Sequence, residues 1–216
     1  MCENKEISEF NWLRQEVLQF RDFIDRKQRE MHLLRLQLII TIYGSYYPLA
    51  ERERLIALKN FLISNGYALT RLVEDYPQNT LVNRLFRSRE QRASTKSEYC
   101  LEFSDVNFFV FTHAGKCQGV SAELAYCRNS PNMIDRRWRS VVFDEIIDGR
   151  QATSFLDRGA VYPALREVKR ISFKNDKALL ALALKVANEF LFLLYPYLTQ
   201  RAQIKGAAIG NHAFLK

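Results

Sequence analysis

The chain has 216 residues, 48% hydrophobic and 12% aromatic, with only 8 glycines and 5 prolines, which excludes a disordered or collagen-like chain and suits one sizeable, helix-rich core. Its net charge of +8 and isoelectric point near 9.4 attract phosphate-bearing ligands, nucleic acid or an acidic surface, and equally describe a soluble protein with a lysine and arginine surplus. Cys2, Cys100, Cys117 and Cys127 form no CxxC pair and the histidines are scattered, so no metal site is expected and the thiols read as free in a reducing, cytoplasmic setting.

The N-terminus mixes acids through its apolar residues and lacks a signal peptide's apolar segment. Residues 6–34 read as one long helix, since Phe10, Leu13, Val17, Phe20, Ile24, Met31 and Leu34 recur mostly at three- and four-residue steps. This helix stands outside the strand-helix pattern of residues 36–200 and packs either on the domain or on a second copy. "LQLIITIYG" (36–44) is a continuous β-branched run, as a strand covered on both faces needs. A helix with Leu49, Ile56, Phe61 and Leu62 on one face comes next, closed by Gly66. "ALTRLVEDY" (68–76) alternates as a second, less buried strand, and a polar helical stretch covers 79–103.

"VNFFVFTHA" (106–114) is the third strand, and a helix bearing Glu123 succeeds it. "RSVVFDEII" (139–147) is the fourth strand. In 148–165, Asp148-Gly149 reads either as a hairpin turn or as part of a loop with one helical turn. "REVKRISF" (166–173) is the fifth strand, and an apolar helix over 176–200 closes the domain. Lys185, Asn188 and Glu189 interrupt its apolar run, so it reads as a buried helix and no membrane is expected.

Strands alternating with helices predict an α/β fold: a doubly wound, mostly parallel five-stranded sheet of flavodoxin-like order 2-1-3-4-5, with extra N- and C-terminal helices. The expected organisation is a helical extension (1–34), a nucleotide-binding-like α/β domain (35–175), and a C-terminal helix and tail packed on it (176–216). The terminal helices carry more apolar positions than one small sheet can cover, which predicts a homodimer.

In such sheets the ligand crevice lies at the carboxyl ends of strands 1 and 3, where the winding reverses. Those ends are "YGSYYP" and "THAGKCQGVSAE". Gly44, Ser45 and Tyr46 are therefore candidates to meet a sugar or phosphate, and His113 is a secondary one. Ser121 is a favourable N-cap, which puts Glu123 near the helix's positive end, where its carboxylate should stay ionised. The same pattern also serves plain helix capping. No GxGxxG or GxxxxGK[ST] motif occurs.

"IYGSYY", "SDVNFFVF" and "GVSAELAYC" together resemble the nucleoside deoxyribosyltransferase-like superfamily and its Toll/interleukin-receptor-like NAD-cleaving relatives, over about residues 36–147. The resemblance implies that Glu123 is the catalytic carboxylate acting on the anomeric carbon of an N-riboside, with Gly44, Ser45, Gly119 and Ser121 lining the sugar site. NAD or a nucleotide would then be substrate or ligand rather than a bound cofactor. The family usually carries an aspartate six residues before the glutamate, where this chain has Cys117. Asp105 and Asp75, near strand ends, are the acids available to replace it. Deoxyribosyl transfer thus fits less well than hydrolysis of a riboside or binding without turnover. Two other readings stand beside the enzyme: a non-catalytic nucleotide sensor, and a nucleic-acid-associated protein using Arg84, Arg87, Arg89, Arg92 and Lys96 with Arg136, Arg137 and Arg139.

Overall fold

The computed structural model describes residues 3–77, 89–156 and 168–213, with side chains at 16–77, 95–154 and 168–204. Helix α1 (Glu3–Arg35) leads into β1 (Ile40–Gly44), α2 (Leu49–Ser64) and β2 (Thr70–Leu72). Then come α3 (Arg89–Phe103), β3 (Val106–Phe111), α4 (Gln118–Asn129) and β4 (Ser140–Ile147). A short β5 (Arg150–Gln151), β6 (Lys169–Phe173), α5 (Asp176–Leu193) and α6 (Tyr195–Ala213) complete the order.

Strand β1 pairs in parallel with β2 and β3, and β4 pairs in parallel with β3 and β6. The parallel order is thus β2-β1-β3-β4-β6, the predicted doubly wound arrangement, with β5 added antiparallel to β4. Alternation along the strands divides the apolar residues into two cores. Ile40, Ile42, Phe108, Val110, Val141 and Phe143 face α2 and α5, while Tyr43, Phe109, Phe111 and Val142 face α3 and α4.

Several boundaries differ from those the sequence predicts. Strand β1 is shorter because residues 36–38 turn at the end of α1, the Leu36 N–H bonding His32 O and the Gln37 N–H bonding Leu34 O, and strand β2 ends at Leu72, where the Asp75 carboxylate accepts the Leu72 N–H at 2.8 Å and draws the chain into a 3-10 turn. Gly66, at φ 94°, closes α2: its N–H donates to Ile63 O and that of Tyr67 to Leu62 O. Both readings of 148–165 hold in part, since Asp148 (φ 50°) and Gly149 (φ 73°) turn a hairpin and a 3-10 turn, Ala152–Leu156, comes after it. Of the 79–103 stretch, 79–88 lies outside the described residues, as do 157–167.

The predicted 176–200 helix is two helices bent by 69° at Leu194. Pro196 enforces the break: it has no N–H to donate to the carbonyl of Phe192, so it is accommodated only in the first turn of a new helix. No single described helix is long and apolar enough to cross a membrane. Leu34 and Leu38 from the N-terminal side, Leu179, Ala183, Val186 and Phe190 of α5, and Leu198 of α6 all enter the first core.

Candidate functional site

At the switch point between β1 and β3, the two loops lie directly on each other. Gly44 is required by packing, because a Cβ there would stand 2.8 Å from Leu55 Cδ2 of α2. The Ser45 hydroxyl donates to Tyr47 O at 2.6 Å and accepts the Tyr47 N–H at 3.2 Å, so it is engaged in its own turn. From the other side, Gly115 fits so closely that a Cβ would be 2.6 Å from Thr112 Oγ1 and 2.8 Å from Ser45 Cβ. The Lys116 N–H donates to Tyr47 O at 3.2 Å, and its ammonium stands 4.6 Å from the Tyr47 ring centre.

Beside these loops lies a charged cluster that the sequence did not point to. Glu51, buried in the first turn of α2, accepts the Thr112 hydroxyl at 2.5 Å and Arg54 Nη1 at 2.9 and 3.0 Å. Arg54 also meets Asp176 at 2.7 Å and Glu145 at 3.7 Å. Glu145 accepts the His113 N–H at 2.8 Å, and His113 Nε2 stands 3.0 Å from Arg150 O. Three carboxylates around one guanidinium thus clasp the ends of β3 and β4 to the starts of α2 and α5. The local signal was an acid in the first turn of α2 with an arginine three residues on, but Glu145 and Asp176 join only in the fold.

Glu123 does not sit where capping rules place it. Helix α4 begins at Gln118 with Cys117 as N-cap, so Glu123 is in the second turn. Ser121 is inside the helix, buried, and donates its hydroxyl back to Cys117 O at 2.7 Å rather than capping. The expectation of a dipole-stabilised, ionised carboxylate is therefore corrected. Burial around the carboxyl raises its pKa to about 7, against a smaller opposing effect from Ser97 Oγ, which donates to Glu123 Oε1 at 2.7 Å.

The surroundings of this carboxyl come from three elements. Ser97 is on α3, Glu123 on α4, and Tyr46 on the loop after β1. Tyr46 is 37% exposed, and desolvation of the part of it turned inward, with the Glu74 and Glu123 carboxylates, pushes its phenol above its ordinary value. Burial does the same to Tyr43, whose hydroxyl lies near Cys100 and Glu123 and has no hydrogen-bond partner among the described residues. Of the predicted residues, Tyr46 lies within electrostatic reach of Glu123, as does Tyr43, while Ser97, which the sequence did not single out, is the side chain that touches the Glu123 carboxyl.

The other predicted site residues separate from this group. His113 belongs to the charged cluster, and Gly119 is exposed, with open space where a Cβ would stand. Asp105 is at the amino end of β3, away from the site, where it accepts the Ile39 N–H at 2.9 Å and pairs with Arg201 at 2.7 Å. Asp75 caps β2 and pairs with Lys59 at 3.0 Å. Cys117 is a buried thiol with raised pKa, bonded to Thr112 O and Gly115 O, so it supplies no acid where the family carries aspartate.

The arginines proposed for nucleic acid divide as well. Arg84 and Arg87 lie outside the described residues, as do the side chains of Arg89 and Arg92, while Lys96 donates to Glu74 O. Arg136 donates to Glu102 O at the end of α3, and Arg137 to Arg128 O at the end of α4. Both complete carbonyls that a helix end leaves without partners. Arg139 stacks on Trp138 and Tyr197 at 5.1 and 5.6 Å. Among the described residues no group of His, Cys, Asp and Glu is arranged to hold a metal ion. Compared with protein-family models, curated proteins and solved structures, the chain has no significant match to any of them.

Proposed function

We propose that the protein binds a nucleoside-, nucleotide- or NAD-like molecule at the β1/β3 switch point and that Glu123 acts on its N-glycosidic bond. One observation carries the reading: a desolvated carboxyl on the helix after β3 accepts a hydrogen bond from Ser97 of a second helix and lies within electrostatic reach of Tyr46 on the loop after β1. The ionised carboxylate stabilises the positive charge that develops on the sugar as the base leaves, and the desolvated setting strengthens that effect. The likeness of "IYGSYY" and "GVSAELAYC" to the deoxyribosyltransferase-like and Toll/interleukin-receptor-like proteins supports the same role. Cys117 in place of the family's aspartate favours hydrolysis over deoxyribosyl transfer. The buried free thiols Cys100, Cys117 and Cys127 suit a reducing, cytoplasmic setting.

The test is release of free base from NAD and a panel of nucleosides, measured by chromatography. Glu123→Gln keeps size and hydrogen bonding, so it is expected to reduce release by about 10²–10⁴-fold. Ligand binding should stay within about tenfold, or roughly 1.4 kcal/mol. Release should rise with pH through about 7 as Glu123 ionises. A second reading, a sensor that binds without turnover, is favoured by the direct packing of the 113–116 loop on the 45–47 loop. Binding by the wild type with no base release would select it. Neither binding nor release would leave Glu123 a structural residue and remove both readings.

A further inference from the structure

From residue 16 to residue 29, every position of α1 is exposed, so this part of the helix stands off the body. Its apolar stripe keeps a strict heptad. Phe10, Val17, Ile24 and Met31 occupy one core position, and Leu13, Phe20 and Leu34 the other, with Lys27 interrupting the second row. The lower end of this seam is covered by the protein's own body, with Leu34 buried and Met31 packed against the core. The upper end is not: Val17 is 62%, Phe20 67% and Ile24 36% exposed.

The flanking positions say what covers it. Those preceding the first core position are Glu9, Glu16, Phe23 and Glu30, and those next after the second are Arg14, Arg21, Gln28 and Arg35. In a parallel, in-register pair, an acid meets the partner's residue five places further on, which sets Glu16 against Arg21. In an antiparallel pair, acids meet acids and arginines meet arginines. Among the described residues, no ion pair engages Glu16 or Arg21. Glu30 and Arg35 are already held within the chain, by Lys27 and Tyr195 and by Asn188, so the free seam ends near Lys27.

We infer that α1 forms a parallel, in-register two-stranded coiled coil with a second copy of this chain through the seam above Lys27. Val17 and Ile24 are β-branched at the first core position, the arrangement that favours two strands. Only about two and a half heptads, from Phe10 to Lys27, are available, so association depends on concentration. The closing experiment is light scattering and sedimentation of the full chain across a concentration series. The wild type is expected to dimerise, and Phe20→Asp to be monomeric with the thermal unfolding of the α/β body unchanged.

Glu16→Arg and Arg21→Glu each raise the dimer dissociation constant by about tenfold, and mixing the two restores it. In a Cys2→Ser background, Val17→Cys should cross-link into a dimer on mild oxidation, while Asp22→Cys, on the outer face of the seam, should not. A wild type that stays monomeric at the highest concentration, a Phe20→Asp protein that still dimerises, or equal cross-linking at positions 17 and 22 would overturn the proposal.

Discussion

Glu123 is where local rules and tertiary surroundings disagree most. A serine with an acid just after it reads as a helix start, and Ser121 is a better cap by type than Cys117. Cys117 takes the position because it also bonds the carbonyls of Thr112 and Gly115, a contact that a reading of α4 alone does not contain. The consequence is measurable. Between pH of about 4.5 and 7 the folded protein keeps a proton on Glu123 that the unfolded chain has released, so stability falls as pH rises through that window and stays lower above it. Glu123→Gln has no such loss. It is expected to be more stable than the wild type at pH 8 by about 1–3 kcal/mol and nearly equal to it at pH 4. Urea denaturation at the two pH values measures this, and an unchanged difference between them would contradict the desolvation of the carboxyl.

Elements were legible where one physical cause dominates. Strands β1, β3 and β4 read directly, because a strand covered on both faces is a continuous apolar run. The break at Pro196 was equally written in "LLYPYL" but was hidden by the apolar periodicity running through it. The loops were not legible: Gly44 read as a ligand-approach position, yet it and Gly115 are both sites of close contact within the protein. Gly115→Ala must push the 113–116 loop off Ser45 and should cost about 1–3 kcal/mol. Gly119→Ala, with open space on α4, should instead be neutral or stabilising by up to about 1 kcal/mol. Thermal unfolding of the two variants separates them, and equal effects would mean that the loop contact is not tight.

For the molecule as a whole, the residues read as a ligand site turned out to serve both ends of the sheet. Asp105 is the clearest case, since only the docking of α6 supplies the Arg201 that explains it. Asp105→Ala leaves Arg201 and the Ile39 N–H without their shared acceptor and should destabilise the fold by about 3 kcal/mol. Asp105→Ala with Arg201→Met should cost less than Asp105→Ala alone. A cost for the double variant equal to the sum of the single ones would mean that the two side chains do not act together.

That ion pair also sits at the foot of α1. Arg201 donates to Gln37 O and Asp105 accepts the Ile39 N–H, so the short connection from α1 to β1 is gripped from both sides. Tyr195, on the same helix as Arg201, holds Glu30 one turn above that foot. A pull or twist applied along the projecting part of α1 therefore loads α6 and this clamp first. The clamp thus stands between the projecting part of α1 and the central strand, whose far end carries the Tyr46 loop.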